Sequence, residues 1–393
     1  MSVSRGKFAA AALVSLAAVV AFAQAGYSFT INGKQVPLDV VEKNGKVYVD
    51  ASAAFKALGA SVTFDKAKKS YVIVTAGQNQ VQAVQGTTQL AGGEGVIGKT
   101  YSLGRTDDAL NFTLNAVEYT VTRLTNGSEV VIPKADEKLI VLHYTVQNPQ
   151  KREMSLTWSS FKFTAVDARD TNHVGQPYPV RDGTTERISS LSLKPAQKID
   201  LMSYWMVPAA GITPKLIVER GSNNPVLRYD LRGKVKGLAA PFADSADVSG
   251  ATAREEVPAA TGSYYPLGTF DLKLESVSFT TDPILGNKAR EGKRFLVVTF
   301  SMRNGSGKSA GEASYGWSTI RVEGRDADGD SFEFEGDKAK ATRDERSDGR
   351  LKPGEETRFR AFAEIPADLS VKSITVREGQ SRSYTFDVSS QAK

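Results

Sequence analysis

The sequence contains no cysteine, and its 393 residues include only two histidines. Without thiols the chain forms no disulfide and offers no thiolate nucleophile, so its stability has to come from well-packed cores. Two imidazoles are also few for a transition-metal enzyme, which usually takes about three or four nitrogen or sulfur ligands. A His-Glu-x-x-His motif is absent as well. The composition therefore argues against thiol chemistry and against histidine-rich metal catalysis.

Neither sign of charge dominates the sequence. The chain has 50 Lys and Arg residues against 44 Asp and Glu residues, a net charge of +6 with neutral histidines. So small an excess is weak evidence for a polyanionic partner, and the segment 343–358 mixes both signs closely, as solvated loops do. We therefore predict no nucleic-acid partner. A chain of this length is expected to form two or three domains.

Long apolar runs are confined to the N-terminus. Arg5 and Lys7 precede an apolar run over residues 8–22, and Ala23-Gln24-Ala25 follows it. This is the secretory pattern, and the run is shorter than the roughly twenty residues of a membrane-spanning helix. We predict a signal peptide over residues 1–25, with an uncleaved anchor as the alternative. The protein is then expected in the periplasm or at the cell surface, with no transmembrane segment in the mature chain.

Residues 27–75 have the pattern of a small α+β unit. Asn32-Gly33 and Asn44-Gly45 are hairpin turn signals between short apolar segments. Between residues 51 and 58 the apolar residues recur at i, i+3, i+4 and i+7, which predicts an amphipathic helix. Two short strands follow, over residues 62–64 and 71–74. One helix packed on a small antiparallel sheet satisfies this order.

The same segment resembles a known family. The matching stretches are Ile31–Lys34, Asn44–Val49, Phe55–Ala60 and Val62–Asp65. In this order, a turn, a strand, a helix ending in Leu-Gly-Ala and a strand ending in Phe-Asp are similar to the copper amine oxidase-like N-terminal domain. The resemblance implies a non-catalytic stalk module of the kind found in bacterial envelope proteins. It does not extend to the oxidase's copper histidines or cofactor tyrosine.

The rest of the chain contains an internal repeat. Leu139–Asn148 returns as Phe295–Asn304, and Trp158–Phe163 returns as Trp317–Val322. A Leu-Lys-Pro motif at residues 193–195 also returns, so the offsets of 156, 159 and 158 residues are nearly constant. Such constancy indicates two copies of one domain, which we place at residues 101–232 and 264–390. Linkers are predicted at residues 76–100 and 233–263, which are rich in small residues.

Both copies are rich in predicted strands. Ile140, Leu142, Tyr144 and Val146 alternate with residues of the opposite face, and turn signals separate such runs. The predicted fold class is mainly β: a small α+β N-terminal module followed by two duplicated immunoglobulin-like antiparallel β-sandwiches. Each copy is also similar to the immunoprotective-type extracellular domains of bacterial secreted proteins, a resemblance that implies no particular chemistry.

Two sets of residues are candidate metal ligands. Asp326, Asp328 and Asp330 alternate around a glycine, so they either offer hard oxygens to Ca²⁺ or bond their own backbone in a hairpin turn. His143 and His173 are the only imidazoles, and a copper site would need both together with other side chains. The alternative for each histidine is an ordinary polar position in a strand or loop. We predict no catalytic residues and no resident cofactor.

Trp158 and Trp317 occupy matching positions, so we interpret them as packing residues of the core or sheet edge rather than as ligand platforms.

The predicted function is that of an exported cell-envelope protein, a non-catalytic accessory module that docks on a surface-layer, outer-membrane or wall component. Two alternatives stay open. One is a copper-binding, superoxide dismutase-like redox protein associated with the surface layer, and the other is a soluble receptor for a small envelope ligand.

Overall fold

The computed structural model describes residues 29–31, 34–36, 38, 40–57, 61–65, 70–74, 92–175, 177–221, 224–316 and 318–391. The predicted signal peptide and Trp317 lie outside the described residues. The chain divides into two compact units, Met1–Gln89 and Leu90–Lys393. The first unit contains the α+β module, and the second contains both sandwiches.

The described residues of the first unit form short hairpins and one helix, α1 (Ala51–Ala57). Its strands are β1 (Phe29–Ile31), β2 (Lys34–Val36), β3 (Val40–Lys43), β4 (Lys46–Val49), β5 (Ser61–Asp65) and β6 (Ser70–Val74). They pair as three antiparallel hairpins, β1 with β2, β3 with β4, and β5 with β6. The Asp50 side chain accepts a hydrogen bond from the Ala53 N–H at 2.7 Å, so an aspartate caps the start of α1. Among the described residues, no helix is long and apolar enough to cross a membrane.

Sandwich 1 occupies residues 92–230. Its strands are β7 (Gly92–Gly95), β8 (Thr100–Leu103), β9 (Leu110–Thr120), β10 (Leu124–Asn126), β11 (Glu129–Val131), β12 (Glu137–Gln147), β13 (Met154–Thr157), β14 (Lys162–Val166), β15 (Asn172–Gly175), β16 (Val180–Arg181), β17 (Ser190–Leu193), β18 (Lys198–Pro208), β19 (Lys215–Glu219) and β20 (Val226–Asp230). One five-stranded sheet has the order β16-β18-β12-β9-β8, and the other has the order β15-β14-β19-β20-β7. Two further two-stranded sheets, β10-β11 and β13-β17, complete sandwich 1.

Sandwich 2 occupies residues 256–387. Its strands are β21 (Glu256–Ala259), β22 (Tyr265–Leu267), β23 (Phe270–Thr280), β24 (Lys293–Asn304), β25 (Ala313–Tyr315), β26 (Arg321–Asp326), β27 (Ser331–Glu333), β28 (Ala339–Lys340), β29 (Gly349–Leu351), β30 (Glu356–Pro366), β31 (Val371–Arg377) and β32 (Ser383–Asp387), and a 3-10 helix covers Lys308–Ala310. The sheets β22-β23-β24-β30-β28 and β21-β32-β31-β26-β27 repeat the strand order of sandwich 1. The two sandwiches also share an irregularity in strand pairing. Asn115 of β9 has no partner residue on β12, and Glu275 of β23 has none on β24, so the register shifts by one residue at each place. The predicted fold class is confirmed.

Alternating strand residues build a separate core in each sandwich. The inward residues of β12 are buried, as the alternation predicts, and so are those of β24. The buried Tyr144 hydroxyl is hydrogen-bonded to the Ser203 hydroxyl at 2.9 Å. Sandwich 2 has Phe300 and Ala361 at the equivalent register positions. A buried hydroxyl needs a hydrogen-bond partner and a phenyl ring does not. Tyr144 with Ser203 and Phe300 with Ala361 therefore both leave no buried hydroxyl unpaired.

A second apolar cluster lies on the outer face of the β12 sheet. In sandwich 1 it consists of Leu139, Val141, Val180 and Tyr204, with side chains of the β10-β11 hairpin packed against it. The equivalent cluster of sandwich 2 consists of Ile284, Phe295, Val297, Ala339 and Phe362. A sheet covered on both faces has consecutive apolar residues along its strands. This explains the unbroken apolar run from residue 139 to residue 142.

The structure differs from the predicted linkers. Strand β7 lies within 76–100 and strand β21 within 233–263, and each pairs in parallel with the last strand of its sandwich. Glycine permits this at β7, because a Cβ on Gly95 would come within 2.6 Å of the Tyr229 ring. A short glycine-rich edge strand lacks apolar alternation, so its composition resembles that of a linker. Ala251 and Ala253 of the second segment are also buried.

A buried arginine of sandwich 1 reaches into sandwich 2. Arg123 follows β9, and its guanidinium donates hydrogen bonds to the backbone carbonyls of Gly268 at 3.0 Å, Phe270 at 2.9 Å and Gly305 at 2.9 Å. It also pairs with the Asp271 carboxylate. A rigid guanidinium with several N–H donors suits such a set of fixed acceptors.

A second arginine makes the opposite connection. Arg382 precedes β32 in sandwich 2 and is 3% exposed. Its guanidinium donates to the carbonyls of Lys134 at 3.0 Å and Ala135 at 3.1 Å in sandwich 1, and to that of Glu137. It also donates to the Arg254 carbonyl at 2.8 Å. Each sandwich therefore supplies one arginine to the other, and the two form one body.

Candidate functional site

His143 lies on β12 between two carboxylates. Its Nδ1 is 3.0 Å from the Asp182 Oδ1, and its Nε2 is 3.4 Å from the Glu118 Oε1. The two carboxylates therefore contact opposite edges of the ring and do not converge on one ion. Partial burial raises the pKa of Glu118, but hydrogen bonds from Lys236 and His143 outweigh this and hold that pKa below its ordinary value. His143 thus belongs to an ion-pair network on the sheet face.

His173 lies on β15, in the other sheet of sandwich 1. Its Nε2 is 3.0 Å from the Asp167 Oδ2, and the other oxygen of Asp167 accepts the N–H groups of Arg169 at 2.8 Å and Thr171 at 2.9 Å. The His173 carbonyl accepts the indole N–H of the core residue Trp205 at 3.0 Å. These bonds fix the turn before β15, so His173 has a structural role here.

The three aspartates form the hairpin between β26 and β27. The Asp326 Oδ1 accepts the N–H groups of Asp328 at 3.0 Å and Asp330 at 2.9 Å, so this carboxylate closes its own turn. Asp328 and Asp330 are exposed. Within the part of the chain that the structure describes, no three His, Cys, Asp or Glu side chains are grouped to hold a metal ion. Neither metal prediction gains support from this geometry.

Two segments match the sequence motifs of a phosphate-binding loop and a nucleophile elbow, but neither segment has the secondary structure that its motif requires. Residues 93–100, Gly-Glu-Gly-Val-Ile-Gly-Lys-Thr, match the spacing of a phosphate-binding loop, which requires a helix after the loop. Here strand β8 follows, and the Gly98 N–H donates to the Leu114 carbonyl at 2.7 Å. Residues 307–311, Gly-Lys-Ser-Ala-Gly, match a nucleophile elbow but form a 3-10 helix that leads to β25. A nucleophile elbow needs a strand-to-helix turn.

The strongest candidate site is a stack of three side chains on sandwich 1. The rings of Trp158 and Tyr178 lie 5.2 Å apart between centroids, and the Arg187 Cζ lies 3.4 Å from the centre of the Tyr178 ring. Trp158 is 39% exposed. We call Trp158, Tyr178 and Arg187 the aromatic stack. The sequence interpretation placed Trp158 in the core or at a sheet edge, and it gave no role to Tyr178 or Arg187.

Neighbouring backbone groups hold the aromatic stack in place. The Trp158 N–H donates to the Ser189 carbonyl at 3.2 Å. The Asn126 side-chain amide donates to the Tyr178 carbonyl at 3.0 Å. Arg187 bridges to Val180 of β16 and lies 3.9 Å from the Glu129 carboxylate. Three separate loops are thereby fixed around one exposed indole.

Sandwich 2 lacks this arrangement at the matching position. Val180 and Ala339 each form an isolated bridge with the arginine seven residues later, so Arg187 matches Arg346. Tyr178 lies two residues before Val180, and Asp337 lies two residues before Ala339, so Tyr178 matches Asp337. There the Arg346 guanidinium lies 2.8 Å from the Asp337 carboxylate; Arg346 is exposed and Asp337 is half-buried. The Tyr178–Arg187 pair of sandwich 1 is therefore replaced by an ion pair in sandwich 2, while Trp317, which matches Trp158, lies outside the described residues.

No protein-family description and no curated protein matches the chain. Several solved structures align with about a third of it. An uncharacterised β-sandwich protein from Clostridium difficile has 13% identity and a TM-score of 0.26, over 33% of this chain and 92% of that one. The secreted protein MPT63 from Mycobacterium tuberculosis has 12% identity and a TM-score of 0.26, over 34% and 97%. The yjhA protein from Bacillus subtilis has 16% identity and a TM-score of 0.22, over 33% and 97%. Likenesses at these scores carry no argument about function.

Proposed function

We propose that this chain is an exported bacterial cell-envelope protein that acts by docking, without catalysis, on a surface-layer, outer-membrane or wall component. The aromatic stack is the observation that carries the proposal. Trp, Tyr and Arg are the residues most enriched at the energetic centres of interfaces, because each combines a large apolar surface with a polar group. Here all three are stacked, held by fixed loops and open to solvent at Trp158.

The body that presents the stack is rigid. Arg123 and Arg382 fix the two sandwiches to each other through backbone carbonyls, so a surface on sandwich 1 has a defined orientation relative to sandwich 2. A pre-ordered surface binds at lower entropic cost than one that has to order on binding. This favours a docking role for the pair.

The N-terminal part of the proposal comes from sequence. Residues 1–25 would direct export, and residues 27–75 would be a stalk module of the copper amine oxidase-like N-terminal type. The hairpins and helix α1 of the first unit have the order that this resemblance implies. The two sandwiches would be immunoprotective-type extracellular domains.

The test is co-sedimentation of the purified mature chain with isolated envelopes of its own bacterium. Trp158→Ala should weaken binding at least about tenfold, the loss expected for a residue at the centre of an interface. Val174→Ala is the matched control, because Val174 is also an exposed apolar residue of sandwich 1 but lies on β15. Equal binding by Trp158→Ala and the unchanged chain would disprove docking through this surface.

A further inference from the structure

We infer that the aromatic stack binds a neutral carbohydrate chain of the envelope, with a pyranose ring placed against Trp158. This inference rests on the proposed docking function and names the class of its ligand. One face of a pyranose presents C–H groups, whereas the rim of the ring carries hydroxyls. Such a ligand needs an aromatic face beside side chains that both donate and accept hydrogen bonds.

The aromatic part of this requirement is met by Trp158. The face of an aromatic ring carries partial negative charge, which attracts the weakly positive hydrogens of C–H groups. Tyr178 is held between Arg187 at 3.4 Å and Trp158 at 5.2 Å, so it supports the indole from one side. The cation beside Tyr178 adds to the rigidity of the stack through a cation–π contact. The exposed part of the indole is left for a ligand.

Hydroxyl side chains surround Trp158 in the sequence and in the small β13-β17 sheet. The Thr157 hydroxyl lies 3.2 Å from that of Ser159, and the Ser160 hydroxyl accepts the Thr157 N–H at 2.8 Å. Across the strand pair, Ser155 lies opposite Ser192, and both are exposed. A hydroxyl both donates and accepts, which matches the hydroxyls of a sugar.

The second sandwich carries charged residues at the matching positions. In the strand pair β25-β29, Ser314 lies opposite Arg350 where sandwich 1 has Ser155 opposite Ser192. Charge also replaces the aromatic partner, since Asp337 stands at the position of Tyr178. At these two places sandwich 1 has Tyr178 and Ser192, whose hydroxyl donates to the Glu153 carboxylate at 2.8 Å, and sandwich 2 has the charged residues Asp337 and Arg350.

The surroundings of the stack fit a glycan better than a protein. The centre of a protein–protein interface is apolar and depleted of small polar residues such as serine. Among the described residues of sandwich 1, the exposed large apolar side chains are Val96, Trp158 and Val174. The residues next to Trp158 are hydroxyl-bearing instead. The composition around the stack thus favours a glycan over a polypeptide.

The experiment separates these two ligand classes on isolated envelopes of the same bacterium. One portion is digested with a broad-specificity protease, and a second is oxidised with periodate, which cleaves the vicinal diols of sugars. Both are washed and quenched before the purified full chain is added. We expect binding to survive protease, to fall at least tenfold after periodate, and to be blocked by the polysaccharide fraction released from digested envelopes.

Variants of Trp158 and Arg346 test whether binding to the envelope goes through the aromatic stack. Trp158→Ala should lose binding at least tenfold, Trp158→Tyr should retain most of it, and Arg346→Ala on sandwich 2 should not change it. Protease-sensitive, periodate-resistant binding that still needs Trp158 would indicate a protein partner; it would overturn the glycan inference and leave the docking function standing. Unchanged binding by Trp158→Ala would overturn both.

Discussion

Arg123 and Arg382 have reciprocal roles at the junction of the two sandwiches. Each guanidinium leaves its own domain and donates to at least three backbone carbonyls of the other, Arg123 to residues 268, 270 and 305, and Arg382 to residues 134, 135 and 137. Backbone acceptors are held by the strands on either side of them, so they offer fixed geometry. Both arginines thus hold the relative orientation of the sandwiches through main-chain acceptors, to which Arg123 adds the Asp271 carboxylate.

Arg382→Ala should lower the free energy of unfolding of the full chain by about 3 kcal/mol. The change leaves a group of buried carbonyls without donors, and each unsatisfied buried group is costly. Urea unfolding followed by circular dichroism measures the loss. Arg382→Lys should recover little, because an ammonium group cannot match the planar fork of a guanidinium.

The matched control for this change is Arg321→Ala. Arg321 forms an exposed ion pair with Glu333 at 2.6 Å, and such surface pairs contribute between about 0 and 1 kcal/mol. If Arg382→Ala and Arg321→Ala shifted the urea midpoint equally, the junction would not depend on Arg382.

Lys138 should make stability rise with pH above about 8. Lys138 is 1% exposed, and its ammonium donates to the carbonyls of Ala209 at 3.1 Å and Gly211 at 2.6 Å, and to that of Ala251. Burial lowers the pKa of Lys138 to about 8. Between this pKa and the ordinary pKa of lysine, the unfolded chain binds more protons than the folded chain, so raising the pH favours folding.

The measurement compares the unchanged chain with Lys138→Met at pH 7 and pH 10. The difference in unfolding free energy should move in favour of the unchanged chain by about 2 kcal/mol, since one pKa unit corresponds to about 1.4 kcal/mol. A difference that stays constant over this range would contradict the lowered pKa.

The pair Tyr144 and Ser203 should be strongly coupled. Ser203→Ala leaves the buried Tyr144 hydroxyl without its partner and should cost about 1–3 kcal/mol, whereas the double change Tyr144→Phe with Ser203→Ala should cost less than Ser203→Ala alone. The double variant reproduces Phe300 and Ala361 of sandwich 2. A double-mutant cycle with additive losses would show that the two hydroxyls do not interact.

Sandwich 2 should be more stable on its own when β21 is included. Val257 of β21 is fully buried in its core, and the Ser383 N–H donates to the Glu255 carbonyl at 3.1 Å. A fragment of residues 254–393 should therefore unfold cooperatively in urea, at a higher midpoint than residues 262–393. Equal midpoints would show that β21 contributes nothing to the fold of this sandwich.

The sequence predicted the features that depend on local periodicity. Alternation along residues 139–146 identified the β12 strand and its inward side chains, and the repeat predicted two sandwiches. Arg123 and Arg382 could not be found this way, because their partners are backbone carbonyls far away in the chain, which leave no pattern. The aromatic stack was missed for a related reason. Trp158, Tyr178 and Arg187 lie on different loops, and only the folded chain brings them together.

The linkers illustrate a second limit. Residues 92–95 are mostly glycine, so propensity favours a flexible segment there, yet the close approach of the Tyr229 ring requires a residue without a Cβ at Gly95. A glycine that is needed for packing and a glycine that gives flexibility look the same in one sequence.

The junction made by Arg123 and Arg382 also has a chemical consequence for the proposed export of the chain. Many exported proteins are stabilised by disulfides. A disulfide needs an oxidant to form, and a reductant breaks it. A guanidinium bound to carbonyls has no redox chemistry. The two sandwiches can therefore lock together as soon as both have folded, and thiol reagents should not separate them.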